Sequence, residues 1–166
     1  MTSIIKVDTI QTSAGGTPTA SSLGISGTIG QVVSVNFNTG VNTTSNSWVA
    51  TGHIASITPS STSSKVLVSV NMGDGFMSET TGNLGVRIHS NASGSYVDVS
   101  NNGFRLRSSP NAINTGGGSL MILDSPNTTS SFSYQAFFNY DGSGTAVYYH
   151  NSSSFQTTMT LMEVLA

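Results

Sequence analysis

The sequence predicts an all-β fold, an antiparallel β-sandwich of jelly-roll-like type, and three observations predict it. Apolar residues alternate with polar ones at period two in run after run, as strands with one buried face require. The runs are separated by clusters of Gly, Asn, Asp, Ser, Thr and Pro, which favour turns. Apolar residues seldom recur at the spacing that a helix face needs.

Taken in order, QVVSVNFN (31–38) places Val33, Val35 and Phe37 on one face. SWVATGHIASI (47–57) is the next candidate, and KVLVSVNM (65–72) aligns Val66, Val68, Val70 and Met72. LGVRIH (84–89) aligns Leu84, Val86 and Ile88, with Arg87 and His89 opposite. SYVDV (95–99) and GFRLR (103–107) follow; alternation sets Arg105 and Arg107 together on the outward side of one strand. SFSYQAFFNY (131–140) aligns Phe132, Tyr134, Ala136, Phe138 and Tyr140, and TAVYYH (145–150) and FQTTMTLMEVL (155–165) close the chain. With SLMIL (119–123) these make roughly eight to ten strands, as a sandwich or barrel requires. The predicted separators include GDG, SNNG, NTGGG and DSPNTTS.

SLMIL and the last strand are apolar on both faces, which predicts cover on both sides. For Leu120, Met121, Ile122 and Leu123 two readings stand: contact with a neighbouring subunit, or a central strand capped by loops. After them Asp124 ends the strand, and Ser125 and Pro126 break it, because proline removes a ladder donor. Asp124 therefore reads as a turn-capping carboxylate and Pro126 as a structural turn residue, rather than as parts of a catalytic site.

Residues 1–29 differ from the sandwich domain expected over 30–166. IIKVDTIQTS carries one apolar patch, Ile4, Ile5, Val7 and Ile10, and the GGTPTASSLGISG after it reads as an extended linker. So short a segment cannot bury its own apolar face. It reads as an N-terminal arm docking on a partner, with a first strand of the domain as the alternative.

Composition narrows the function classes. The 166 residues suit one well-buried domain. Charged residues are only 7%, against roughly 25% in an ordinary soluble domain, so hydroxyls and amides must carry solubility. A net charge of −2 with five Lys and Arg lacks the footprint of a nucleic-acid binder. The absence of cysteine removes disulfides, thiolate metal sites and thiol nucleophiles. The N-terminus lacks a signal peptide's apolar core, and the longest apolar runs fall far short of a membrane span.

Nothing reads as catalytic machinery or as a cofactor site. His53, His89 and His150 fall in three different predicted strands without metal-ligand spacing. There is no nucleophile elbow. Among the carboxylates, Asp74 in GDG and Asp141 in YDGSG sit where turns want them, Asp98 and Glu163 fall on strands, and no pair stands out as a glycosidase needs. Aromatics at strand spacing read as core; Phe137 and Tyr148 lie off the main alternating faces.

Several motifs in order carry a resemblance. SWVATGHIASITPSSTSSKVLVSVNM, GVRIHSN, LDSPNTTSSFSYQAFF and the closing TMTLMEVLA are similar to a C-terminal domain of many bacteriophage virion proteins of tail-fibre-like type, common in marine phages. SIIKVDTIQTSAGG resembles leader segments that join a fibre or knob to the particle. Members of that family often carry another Arg after the V-R strand, where this chain reads VRIHSN. The resemblance implies a jelly-roll-like sandwich similar to trimeric virus-fibre heads and transfers no catalytic residue.

The expectation is thus a non-enzymatic structural protein on the surface of a phage particle, assembled in the host cytoplasm without a signal peptide. It would be a short homotrimeric fibre or knob, held to other virion proteins through Ile4, Ile5, Val7 and Ile10 and contacting a host surface glycan. The alternatives are a capsid decoration or head-fibre protein, and a stand-alone carbohydrate-binding module.

Overall fold

A computed structural model describes residues 15–16, 27–77, 82–100, 103–107, 114–142, 146–148 and 156–165. The first five strands are β1 (Ile29–Phe37), β2 (Val41–Thr43), β3 (Val49–Ile57), β4 (Lys65–Met77) and β5 (Gly82–Ser90). The rest are β6 (Val97–Asp98), β7 (Phe104–Arg107), β8 (Asn114–Asp124), β9 (Phe132–Gly142), β10 (Ala146–Tyr148) and β11 (Thr157–Val164). The described residues hold no helix, and so none long and apolar enough to cross a membrane.

The strands form two antiparallel sheets that make a sandwich. One runs β1-β11-β4, with β8 on the other side of β4 and β10 and β2 extending the sheet past the far end of β11. The other runs β3-β9-β5, with β6 and β7 beyond β5. With the short β2, β6 and β10 set aside, first pairs with last, second with second-last, and so inward: β1–β11, β3–β9, β4–β8, β5–β7. That nesting is a long hairpin rolled up on itself, the winding of a jelly roll.

The period-two alternation becomes the core. Val66, Val68, Val70, Ile88, Tyr134, Ala136, Met159 and Leu161 are fully buried in one cluster, and Met77, Leu84, Val86, Phe138 and Tyr140 in a second. Each large apolar side chain so buried stabilises the fold by about 1.5–3 kcal/mol relative to exposure. At the rim the buried Glu163 ties three segments together. Its carboxylate accepts from Gln31 Nε2 on β1 and from both the Ser60 N–H and hydroxyl, each at 2.7 Å. Burial alone would raise its pKa, but these hydrogen bonds prevail and hold it at about 2.

Two predicted separators belong instead to strands. GDG lies inside β4 and NTGGG inside β8, with Met72 opposite Gly118 and Gly75 opposite Gly116. The ladder shifts register between Met72 and Gly75, so Asp74 stands in a β-bulge rather than a turn. The glycines are needed there because backbone and aromatic surface come very close. A side chain at Gly117 would meet the Met72 carbonyl at 2.6 Å, and one at Gly118 the Phe104 ring at 2.6 Å. The short β2 also went unpredicted, since VNT lies within a stretch of turn-forming residues.

The central-strand reading of SLMIL is likewise replaced. Among the described residues β8 pairs with β4 alone, as an edge. Leu120 and Ile122 pack on the core, whereas Met121 and Leu123 are 64% and 54% exposed.

Candidate functional site

The sequence-predicted site residues do not converge. Ile4, Ile5, Val7 and Ile10 lie outside the described residues. Beside β1, Gly27 N–H donates to the Leu165 carbonyl and Leu165 N–H to the Thr28 carbonyl. At the end of β8, Asp124 accepts from the Ser125 N–H at 2.9 Å and from the Tyr134 hydroxyl at 2.8 Å. Asn127, at φ 54°, returns a side-chain bond to the Ser125 carbonyl around Pro126. Burial, and then the hydrogen bond to Asp124, push the Tyr134 pKa far above its ordinary value.

Nor do the histidines converge. His53 is buried and stacked on Phe37 with ring centroids 4.4 Å apart, His89 lies on the outer face of the same sheet, stacked on Phe137, and His150 is outside the described residues. Among the described residues no group of His, Asp and Glu could hold a metal ion.

What the fold builds instead is two contrasting outer faces. Across the outer face of the β1-β11-β4-β8 sheet, register aligns Val32, Met162, Leu67 and Leu123 in one apolar row. The next row is Ser34, Thr160, Ser69 and Met121, and the one after it Asn36, Thr158, Asn71 and Ser119. At the other end stand Ile29, Val164 and Lys65, the one charge on these four rows. Val32 is 56% exposed and Ile29 46%.

The outer face of the β3-β9-β5 sheet is aromatic and charged. Trp48, Tyr96 and Phe137 sit there rather than in the core. The Arg87 guanidinium lies 4.3 Å from the centre of the Trp48 ring and bonds Asp98 at 2.8 Å. Asp98 in turn accepts from the Ser100 N–H and hydroxyl at 2.9 and 2.7 Å. Burial would raise the Asp98 pKa, but Ser100 first and Arg87 next bring it below its ordinary value. His89 stacks on Phe137 at 3.9 Å, with Tyr96 against the same ring at 5.9 Å. Neither ring nitrogen of His89 has a hydrogen-bond partner among the described residues. Burial lowers its pKa, outweighing Asp98, and so favours the neutral ring.

Beside this cluster opens a cavity of about 360 Å³ lined by Trp48, Arg87, Gly103, Phe104 and Arg105. Next to the cavity, Trp48 lies over a position that has no side chain. Gly85 lies between Arg105 on β7 and Asn139 on β9, and a side chain there would meet the Trp48 ring at 2.9 Å. Strand alternation alone places Arg105 outward. The pairing of Trp48 with Arg87 had no sequence signal, because β3 and β5 touch only through β9.

These features define an all-β sandwich with an apolar row on one outer face and an aromatic-cationic cluster on the other. No protein-family profile and no curated protein matches the chain. Similar solved structures include VP2 of infectious bursal disease virus in a subviral particle, at 13% identity, 82% of this chain, 37% of that chain and a TM-score of 0.44. The Gx strain of the same virus gives 12% identity over 82% of this chain and 37% of that chain, with a TM-score of 0.43. The chain thus spans little more than a third of the length of these solved chains.

Proposed function

We propose that this protein is a non-enzymatic structural component of a bacteriophage particle, a short trimeric fibre or knob of the tail-fibre-like type that its motifs resemble. The observation that carries the reading is the row Val32–Met162–Leu67–Leu123, continuous across four strands and ending on an edge strand. Contiguous apolar surface of this kind marks an interaction site. Its occupant is a second copy of the chain. The apolar row meets no like charge in a copy of itself, and Lys65 stands at its margin. The edge of β8, which pairs with β4 alone among the described residues, extends the same contact. Residues 1–29, through Ile4, Ile5, Val7 and Ile10, attach the assembly to the particle.

Solution molar mass tests this. The full chain is expected at three times its monomer mass, and Leu67→Lys with Leu123→Lys is expected to be monomeric, with its cooperative unfolding kept. A monomeric wild-type chain at every concentration would overturn the assembly and favour a stand-alone binding module. For the arm, Ile5→Asp is expected to abolish attachment to particles while leaving the melting of the sandwich unchanged. An equal loss of domain stability would make the segment a strand of the fold. Tail and head attachment are separated by labelling the protein on intact particles.

A further inference from the structure

We infer that the cavity between Trp48 and Arg105 is a binding site for an acidic saccharide, with the sugar carboxylate on the Arg105 guanidinium and the ring against the aromatic wall. Three of the chain's five Lys and Arg, namely Arg87, Arg105 and Arg107, share this outer face. Arg87 is neutralised by Asp98, which fixes it over Trp48. Arg105 is exposed and has no carboxylate partner among the described residues. Arg107 follows two positions along β7, and the exposed Asp141 lies across from it beyond Asn83, one strand further. The cavity therefore offers one unmatched cation beside a pre-positioned aromatic ring.

A guanidinium presents a fork that matches a carboxylate in two parallel hydrogen bonds. The aromatic wall, Trp48, suits the apolar face of a sugar ring. A volume of about 360 Å³ lies at the small end of the roughly 300–1,000 Å³ usual for ligand pockets, the scale of a sugar residue rather than of a protein. The inference deepens the host-contact part of the proposed function. Repeated on each copy of an assembly, weak sites of this kind add up by multivalency.

Trp48 is the chain's one tryptophan, so its fluorescence reports on this cavity alone. Titration of the full chain with trigalacturonate is expected to give a saturable change. The fully methyl-esterified trisaccharide, which keeps the rings and loses the charge, is expected to bind about tenfold more weakly or worse. Arg105→Gln is expected to weaken the acid by a similar factor, with Arg105→Lys between it and wild type. Added salt is expected to weaken the acid and leave the ester unchanged. The proposal is overturned by no saturable response, by equal binding of acid and ester, or by inorganic sulfate giving the same response at the same concentration. The ester comparison needs no variant and so does not depend on how Arg105→Gln folds. Molar mass reports on assembly and Trp48 fluorescence on the ligand, so either reading can fail without the other.

Discussion

Glu163 is a buried carboxylate whose charge state the fold controls. Its carboxyl sits near 2 in the folded chain, against an ordinary value of 4.5, because Gln31 and Ser60 donate to the charged form despite burial. A depressed carboxyl contributes stability that is fully present above about pH 5 and is lost as pH falls through 2. Denaturant unfolding at pH 6 and pH 3 is expected to differ by about 2 kcal/mol, and Glu163→Gln is expected to remove most of that difference. The variant itself costs about 1–3 kcal/mol at neutral pH, since its amide would face donors. At the same end of the sandwich, across β4, Tyr134→Phe strips a partner from Asp124 and is expected to cost about 1–2 kcal/mol in thermal unfolding. That a strand ends at Asp124 was legible in sequence. Its bond to Tyr134 was not, since alternation places Tyr134 inward without saying what its hydroxyl meets. The same limit applied to Trp48, whose distance in sequence from Arg87 hides their contact.

At the scale of elements, period two located most of the strands, because each buries one face. It failed where glycine was read as an end. In β4 and β8 the glycine clusters face one another and let two strands and the Phe104 ring close on a bulge. Gly117→Ala places a methyl against the Met72 carbonyl and is expected to cost about 1–3 kcal/mol, visible as a lowered denaturation midpoint. Gly116→Ala, where no neighbouring atom of the described residues stands within 4 Å of the added methyl, is the control and is expected to change little. The edge position of β8 was equally hidden. A strand apolar on both faces looks the same in sequence whether a loop, a sheet or another molecule covers it.

For the whole molecule, the rolled hairpin makes the widest pairing the most distant in sequence, with Ile29 opposite Val164. Such non-local ladders carry a large loop-closure cost before they form. Refolding from denaturant is expected on the order of a second or slower, measurable by Trp48 fluorescence. The jelly-roll winding was foreshadowed by strand number and spacing. The contrast between the apolar row on one face and the aromatic-cationic cluster on the other was not, because it depends on register across strands that are far apart in the chain.

The pairing of Gly27 and Thr28 with Leu165 brings the two ends of the described sandwich to a single point. Tension applied between those ends would act across the open mouth of the β1–β11 ladder and peel its rungs one after another, as a zipper opens, instead of shearing them together. Stretched this way the domain is mechanically soft. A force-spectroscopy trace pulled from these two points is expected to show β1 leaving at low load, ahead of the core.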